Sequence, residues 1–256
     1  MFDHVNFDNK AILTVARLLQ KATKHYGTSK LRRLNRAFDI LSGRVEAGPR
    51  AHPLQKSDFY VPGMPAKPWY DPKEIPEAAI FESSYECIKG ELMHILRERR
   101  GFDEPPPVDK GIVKTGAWDL FWIKDGCKRF EENWAMCPET KRIVHSLPRL
   151  GESATFSALR PGSHIQPHTG VANLRLTLHL GLIVPEDCEL SLGDDVRHWE
   201  EGKCLVFDDS FSHHTINNSS TTRIILLADI WHPDLTDLEI CVLEGILHRL
   251  DPGAPG

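Results

Sequence analysis

The residues best suited to chemistry are two histidines in the second half of the chain. His168 lies in the segment PHTG, and His213 ends the segment FDDSFSH. A lone arginine, Arg223, follows in the apolar run TRIILL. Two imidazoles can bind Fe(II), and the guanidinium fork of arginine can pair with a carboxylate of a dicarboxylic cosubstrate. This order of residues therefore predicts an iron site that uses 2-oxoglutarate.

The residue two positions after His168 is unusual for such a site. The common triad of two histidines and one carboxylate would have Asp or Glu there, whereas this chain has Gly170. Asp208 and Asp209 precede His213 closely, and we interpret them as turn-building or hydrogen-bonding residues rather than as ligands. The sequence thus predicts a metal held by two histidines, with an additional open coordination position.

A series of motifs resembles the aspartyl/asparaginyl β-hydroxylase family, whose metal site has two histidines and no acid. The motifs are, in chain order, PGM, KPWYD, FS, RPGSH, PHTG, LHLGL, WEEGK, FDDSF and DIWHP. The resemblance covers roughly residues 57–236 and leaves 1–50 unmatched. It implies a jelly-roll fold, Fe(II), 2-oxoglutarate and O2 as cofactors, and hydroxylation of a substrate C–H bond coupled to release of succinate.

The resemblance assigns His168 and His213 as the metal ligands and the catalytic centre. His214 competes with His213 for this role. Adjacent residues of a strand point to opposite faces, so only one of the two can bind the metal. The family pattern selects His213.

The resemblance also assigns the cosubstrate contacts. Arg223 is expected to bind the distal carboxylate of 2-oxoglutarate with help from the Ser157 hydroxyl, and His179 is expected to contact the metal-chelating end. Counting by two along the predicted strand supports this role, because His179 shares a face with Thr177 and Arg175.

The expected substrate contacts are Thr155, Arg175 and Thr177. Animal members of the family place basic residues at these positions, and this chain keeps only Arg175. The two threonines weaken the case for an aspartyl substrate, although aspartyl-type β-hydroxylation stays open through Arg175. Residues 1–50 are too short for the helical repeats that hold a polypeptide substrate in the animal enzymes.

Composition excludes several other classes. The net charge of -5 and the absence of a long basic run argue against nucleic-acid binding. No apolar stretch approaches the roughly 20 residues of a membrane span, and the start MFDH is not a signal peptide. The six cysteines contain no CxxC pair, so we expect reduced thiols in a cytoplasmic protein, with a Cys127–Cys137 bridge as the alternative.

The first 50 residues predict a basic helical hairpin. Asp8 would cap a first helix that ends at Gly27, and Ser29 would cap a second that stops at Gly43. The charge predicts a solvated face. The alternative is a docking surface for an acidic partner such as a carrier protein.

The middle of the chain changes character several times. Residues 49–76 hold seven prolines and predict an extended segment packed on the main domain. A helix follows over 77–100, the turn 105–107 ends that region, 118–122 is a predicted strand and 138–147 a predicted helix. The domain plan is a helical segment 1–50, a proline-rich segment and helix 51–110, a core 111–240 and a tail 241–256.

From residue 154 onward the pattern has a period of two. Residues 173–182 alternate Asn, Arg, Thr, His and Gly with leucine, which predicts one face in a core and a polar face lining a pocket. Further strands are predicted at 188–192, 203–207, 213–217 and 222–230. Short strands at this spacing favour a mainly β fold with flanking helices, a jelly roll or double-stranded β-helix.

Together these patterns predict an Fe(II)- and 2-oxoglutarate-dependent hydroxylase of an amino-acid-like small substrate, free or carrier-tethered. Halogenation is one alternative, because Gly170 would leave room for a halide on the iron. A non-catalytic jelly-roll binding module is the other, although the intact set His168, His213 and Arg223 speaks against it.

Overall fold

Two antiparallel β-sheets face each other at the centre of the protein. The computed structural model describes residues 9–98, 102–103 and 111–250. One sheet contains, in spatial order, β1 (Trp69–Tyr70), β9 (Cys204–Phe207), β6 (Arg175–Ile183), β11 (Arg223–Trp231), β4 (Leu150–Leu159) and β3 (Trp118–Asp125). The other contains β2 (Val113–Thr115), β5 (Ser163–His168), β10 (His213–Asn217), β7 (Cys188–Leu192) and β8 (Asp195–His198). This arrangement confirms the predicted jelly roll.

Helices flank the larger sheet and one end of the barrel. They are α1 (Asn9–Tyr26), α2 (Arg32–Leu41), α3 (Pro76–Ser83), α4 (Tyr85–Glu98), α5 (Glu131–Met136), α6 (Pro138–His145) and α7 (Asp237–Leu250). None of the helices in the described ranges is long and apolar enough to cross a membrane.

The two-residue period of β6 separates the core from the cavity. Leu176, Leu178 and Leu180 are fully buried in a cluster that includes residues of α3 and α4 on the outer side of the sheet. Thr177 and His179 point the other way, into the space between the sheets. The alternation therefore places the leucines in the core and the polar residues at a pocket, as predicted.

A second apolar cluster joins both ends of the chain. Residues of α1, α2 and α7 pack together against Leu174 and Trp231, and Val171 contacts the same cluster. Arg33 on α2 donates to the Glu239 carboxylate on α7 over distances of 2.6 Å. The N-terminal hairpin is therefore fixed next to the segment that follows the His168 strand.

Several predicted boundaries need correction. The second helix starts after a short 3-10 turn with Leu31 at its N-cap, so the predicted Ser29 cap is wrong. The predicted helix 77–100 is two helices that meet at Ser84, as far as residue 98. Residues 241–250 of the predicted tail are helical and belong to α7, because their apolar face packs on α1. The Asp8 cap and the turn 105–107 lie outside the described residues.

Cys127 and Cys137 are not joined by a disulfide, so the alternative bridge is not formed. Cys137 is fully buried, and its burial raises the pKa of the thiol to about 12. Such a thiol stays protonated and behaves as a small apolar side chain.

Candidate active site

A cavity of about 320 Å³ lies between the two sheets. The larger sheet lines it with alternate residues of β4, β6 and β11, and the smaller sheet contributes residues of β5, β7 and β10. On β11 the cavity-facing residues are Arg223, Ile225, Leu227 and Asp229. Six residues of strand span about 20 Å, so the Arg223 guanidinium and the Asp229 carboxylate lie at opposite ends of the cavity.

The two predicted metal ligands lie side by side on neighbouring strands of the smaller sheet. His168 ends β5 and pairs with His213 at the start of β10, and the centres of their rings are 4.2 Å apart. Nδ1 of His213 donates to the Phe211 carbonyl oxygen at 2.8 Å, and Nδ1 of His168 donates to the Gln166 carbonyl oxygen at 3.0 Å. A carbonyl can only accept, so in the neutral form of either imidazole the Nε2 atom carries the lone pair that a metal needs.

Burial keeps His213 in the ligand form. Burial and the neighbouring His168 lower the pKa of His213 to about 3, so its imidazole is neutral at pH 7. His214 is only half-buried and lies beside His164, on the other face of β10. The strand geometry therefore supports the choice of His213 over His214.

The carboxylate of Asp209 fills the space beside Gly170. A Cβ atom at Gly170 would lie 2.2 Å from Oδ2 of Asp209, and the Gly170 amide donates to the Asp209 carbonyl oxygen at 2.7 Å. Asp209 also lines the cavity next to both histidines. Its carboxylate thus lies close to where the side chain of a triad acid would begin. Among the described residues no group of three or more His, Cys, Asp or Glu side chains is arranged to hold a metal ion.

The contact between Gly170 and Asp209 predicts that a methyl group added at position 170 weakens metal binding. In Gly170→Ala the new Cβ must displace the Asp209 carboxylate, and we expect Fe(II) affinity to fall about tenfold, the lower range for disturbing a group beside a ligand. Metal titration of the variant measures the change. Gly90→Ala is the matched control, because a Cβ there meets nothing within 4 Å.

A double-mutant cycle separates this cause from a general loss of packing. If Asp209 is the group displaced, Gly170→Ala adds little in an Asp209→Ala background. Full additivity of the two substitutions contradicts the contact.

The opposite end of the cavity holds a buried cation. Arg223 is 2% exposed, and within the part of the chain that the structure describes no carboxylate pairs with it. One of its terminal nitrogens donates to the Ser157 carbonyl oxygen at 3.4 Å, and its Nε has no hydrogen-bond partner. Burial lowers the pKa of Arg223, with Cys188 offsetting part of the effect. A buried guanidinium without a counter-ion is costly, so this position favours an anionic ligand.

Ser157 and His179 lie where the sequence placed them. Ser157 faces the cavity from β4, and its hydroxyl accepts a hydrogen bond from Trp118 Nε1 at 2.9 Å. His179 is 7% exposed, faces the cavity from β6, and has an Nε2 atom without a partner in the described residues. Burial, then Arg223 and His213, hold the pKa of His179 well below its usual value.

Comparison with known proteins agrees with this geometry. The family pattern described as aspartyl/asparaginyl beta-hydroxylase matches residues 82–233, more than half of the chain. The chain belongs to the aspartyl/asparaginyl β-hydroxylase family. That range contains both histidines and all the cosubstrate and substrate residues that the sequence predicted.

Individual members of the family differ in length and in the names they carry. Human aspartyl/asparaginyl beta-hydroxylase is 34% identical over 191 residues, which are 71% of this chain and 25% of that protein. The ornithine lipid ester-linked acyl 2-hydroxylase of Rhizobium tropici is 36% identical over 172 residues, 65% of this chain and 61% of that protein. Human aspartate beta-hydroxylase domain-containing protein 2 is 28% identical over 89% of this chain and 64% of that protein. The chain therefore spans less than two thirds of each relative.

The predicted substrate residues of this family member do not all reach the cavity. Thr155 and Thr177 line it, whereas Arg175 is 1% exposed and donates to Oδ2 of Asp229 at 2.7 Å. Ser153 donates to the same carboxylate oxygen at 2.8 Å. A direct contact between Arg175 and a substrate would require this buried ion pair to open, and the assignment stays a prediction.

Two acidic residues at this end were missed by the sequence reasoning. Asp229 and Asp125 both line the cavity beside Trp122. Asp229 had a signal, because it continues the two-residue period that starts at Arg223. Asp125 had none, because an irregularity in the pairing of β3 with β4 shifts its register.

Proposed function

We propose that this protein is a hydroxylase that uses Fe(II), 2-oxoglutarate and O2. The observation that carries the proposal is the buried Arg223, which has no counter-ion among the described residues and faces a cavity that also contains the imidazoles of His168 and His213. A dicarboxylate supplies one carboxylate for the guanidinium, and its other end can reach a metal. His168 and His213 would hold the iron, and Asp209 would lie beside it.

The bound cofactors would supply the oxidation itself, with 2-oxoglutarate converted to succinate and CO2 as the substrate C–H bond becomes C–OH. The protein orients and encloses the reactants. Arg223 and Ser157 would bind the distal carboxylate, and Ile225 and Leu227 would exclude water between the two polar ends of the cavity.

Hydroxylation is favoured over halogenation by the surroundings of Gly170. The room that a halide would need is next to the carboxylate of Asp209, and two negative groups in contact disfavour each other. A cavity that combines a metal-binding pair with a buried guanidinium favours a catalytic site over a binding module without activity.

We further propose that the substrate is amino-acid-like and lacks a second side-chain carboxylate. Thr155 and Thr177 offer hydroxyl groups, and the carboxylates of Asp125 and Asp229, although paired with Lys128 and Arg175, keep lone pairs that can accept further hydrogen bonds. The cations nearest this end are already paired, Arg175 with Asp229 and Lys128 with Asp125, and among the described residues neither lines the cavity. These groups suit hydrogen-bond donors on the substrate better than an additional negative charge.

A carrier-tethered substrate remains part of the proposal because of the charge on α1. Four of its cations, Lys10, Arg17, Lys21 and Lys24, are exposed and recur on one face of the helix. No acidic residue lies on α1. Such a surface suits an acidic carrier protein.

A substrate screen tests the proposed function. Amino acids and their carrier-protein conjugates are incubated with Fe(II), 2-oxoglutarate and O2, and succinate is measured together with the product mass. We expect succinate formation matched by a product about 16 Da heavier, the mass of one oxygen atom. A chloride- or bromide-dependent product of different mass, or no succinate with any conjugate, contradicts the proposal.

The substrate prediction has its own variant. Thr177 lines the cavity and pairs with Asp229 across β6 and β11, so a longer cation at 177 would extend into the cavity at the Asp229 end. Thr177→Arg should raise the preference for aspartyl over uncharged substrates about tenfold or more in kcat/KM, because it adds a fixed donor fork.

Thr177→Met is the control for this prediction, since it adds length without charge. A wild-type protein that already prefers aspartyl substrates, and that Thr177→Arg only impairs, overturns the proposed register of the substrate.

A further inference from the structure

The WEEGK motif forms the loop between β8 and β9, and none of its residues has a role in the proposed function. Its first residue, Trp199, is 3% exposed and lines the cavity at the end that contains Arg223. The indole contacts two of the residues assigned to the cosubstrate, His179 and Arg223. The indole of Trp199 can therefore orient the hydrogen-bond donors of both His179 and Arg223.

Backbone contacts anchor this loop on β6, close to His179. The Gly202 amide donates to the Gly181 carbonyl oxygen at 2.9 Å, and the Gly181 amide donates to the Lys203 carbonyl oxygen at 3.1 Å. A Cβ at Gly181 would lie 2.3 Å from the carbonyl oxygen of Glu200. Only glycine allows this close approach, so the LHLGL and WEEGK motifs work as one unit.

The contact between the Trp199 indole and the His179 imidazole determines which ring nitrogen of His179 carries the proton. Trp199 Nε1 lies 3.3 Å from His179 Nδ1. An indole N–H can only donate, so Nδ1 must be the acceptor and the imidazole proton must reside on Nε2. That Nε2 is buried and has no partner in the described residues. His179 therefore presents an N–H donor, not a lone pair, towards the cavity.

The same ring supports the guanidinium. The central carbon of the Arg223 guanidinium lies 4.8 Å from the centre of the Trp199 ring. A cation over an indole face is stabilised by the ring quadrupole, most strongly where water is excluded. The Trp199 side chain thus contacts two hydrogen-bond donors on different strands, His179 on β6 and Arg223 on β11.

We propose that Trp199 is a positioning residue, which fixes His179 as the Nε2–H tautomer and holds the Arg223 guanidinium so that both donate to one anion. The anion is 2-oxoglutarate if the proposed function is right, and the tautomer does not depend on that identity. A lone pair at Nε2 would repel an anionic oxygen, whereas an N–H binds it. Burial, which keeps the His179 imidazole neutral, supports the same picture.

Nitrogen NMR reads the tautomer directly in the metal-free protein. Histidine labelled with 15N gives long-range 1H–15N correlations that distinguish Nδ1–H from Nε2–H, and the His179→Gln variant identifies the signal of His179. We expect Nε2–H in the wild type. In Trp199→Phe the ring remains over Arg223 but the donor is gone, so the fixed tautomer should be lost.

Affinity for 2-oxoglutarate gives the second measurement, made anaerobically on the Fe(II)-loaded protein by calorimetry. Trp199→Phe should bind about two- to tenfold more weakly, the range expected for one hydrogen bond. Trp199→Leu should lose more, because it also removes the ring under Arg223. Trp69→Phe is the matched control, since the buried Trp69 ring packs against Phe207 in a tilted arrangement but its Nε1 has no partner in the described residues.

The outcomes separate the two proposals. An Nδ1–H tautomer in the wild type overturns the role of Trp199, and that spectrum decides even if a variant fails to fold. An unchanged tautomer in Trp199→Phe overturns it as well. If the wild type shows Nε2–H but does not bind 2-oxoglutarate, the positioning role stands and the proposed function fails.

Discussion

Replacing His213 with alanine should lower Fe(II) affinity by about 100-fold or more and remove turnover at limiting iron. Disturbing a group that merely supports a ligand already costs 10–100-fold. Among the described residues the proposed site offers only two protein ligands, and both imidazoles direct Nε2 away from the carbonyl that Nδ1 contacts. His168→Ala should have a comparable effect.

The matched control is His214→Ala, which removes the neighbouring imidazole from the other face of β10. It should retain Fe(II) binding and most of the turnover. Binding is measured by anaerobic metal titration and turnover by succinate release. If His214→Ala loses the metal and His213→Ala keeps it, the assigned register of β10 is wrong by one residue.

Replacing Arg223 with methionine should raise the 2-oxoglutarate requirement roughly 30-fold or more. Truncating one partner of a buried charge pair costs on the order of 2–5 kcal/mol, and each 1.4 kcal/mol is about tenfold in affinity. Arg223 is 2% exposed, so solvent does little to screen the loss. The requirement for the oxidised substrate should change far less, because its proposed contacts lie at the Asp229 end of the cavity.

Steady-state kinetics with each reactant varied in turn checks this separation. Arg160→Met is the control, since Arg160 pairs with Asp119 and is half-exposed on the same barrel. Its 2-oxoglutarate requirement should stay near the wild-type value. An unchanged requirement in Arg223→Met removes this arginine from the cosubstrate site.

Much of the barrel follows from local pattern. The alternation over 174–182 and the apolar runs around Arg223 predicted β6 and β11, because inward and outward residues of a strand must differ when one face is buried. The same counting put His179 and Thr177 on the cavity side. The choice between His213 and His214 needed the family pattern, and the burial of His213 agrees with it.

Contacts between distant segments could not be predicted in this way. No spacing shows that Asp209 lies against Gly170, because the two meet only when β5 and β10 pair. The pairing of Arg175 with Asp229 likewise depends on the register of β6 against β11. At the C-terminus, the apolar face of α7 is stabilised by α1 from the other end of the chain, so the segment alone was interpreted as a tail.

The central claim is that His168, His213 and Arg223 form one site in which metal and dicarboxylate bind together. Anaerobic calorimetry of 2-oxoglutarate binding, with and without Fe(II), tests it most directly. We predict one Fe(II) per chain and at least about tenfold tighter 2-oxoglutarate binding with iron, with a reciprocal gain for the metal. The His168→Ala/His213→Ala double variant should lose this coupling. Equal affinity with and without iron, or coupling that persists in the double variant, contradicts the account.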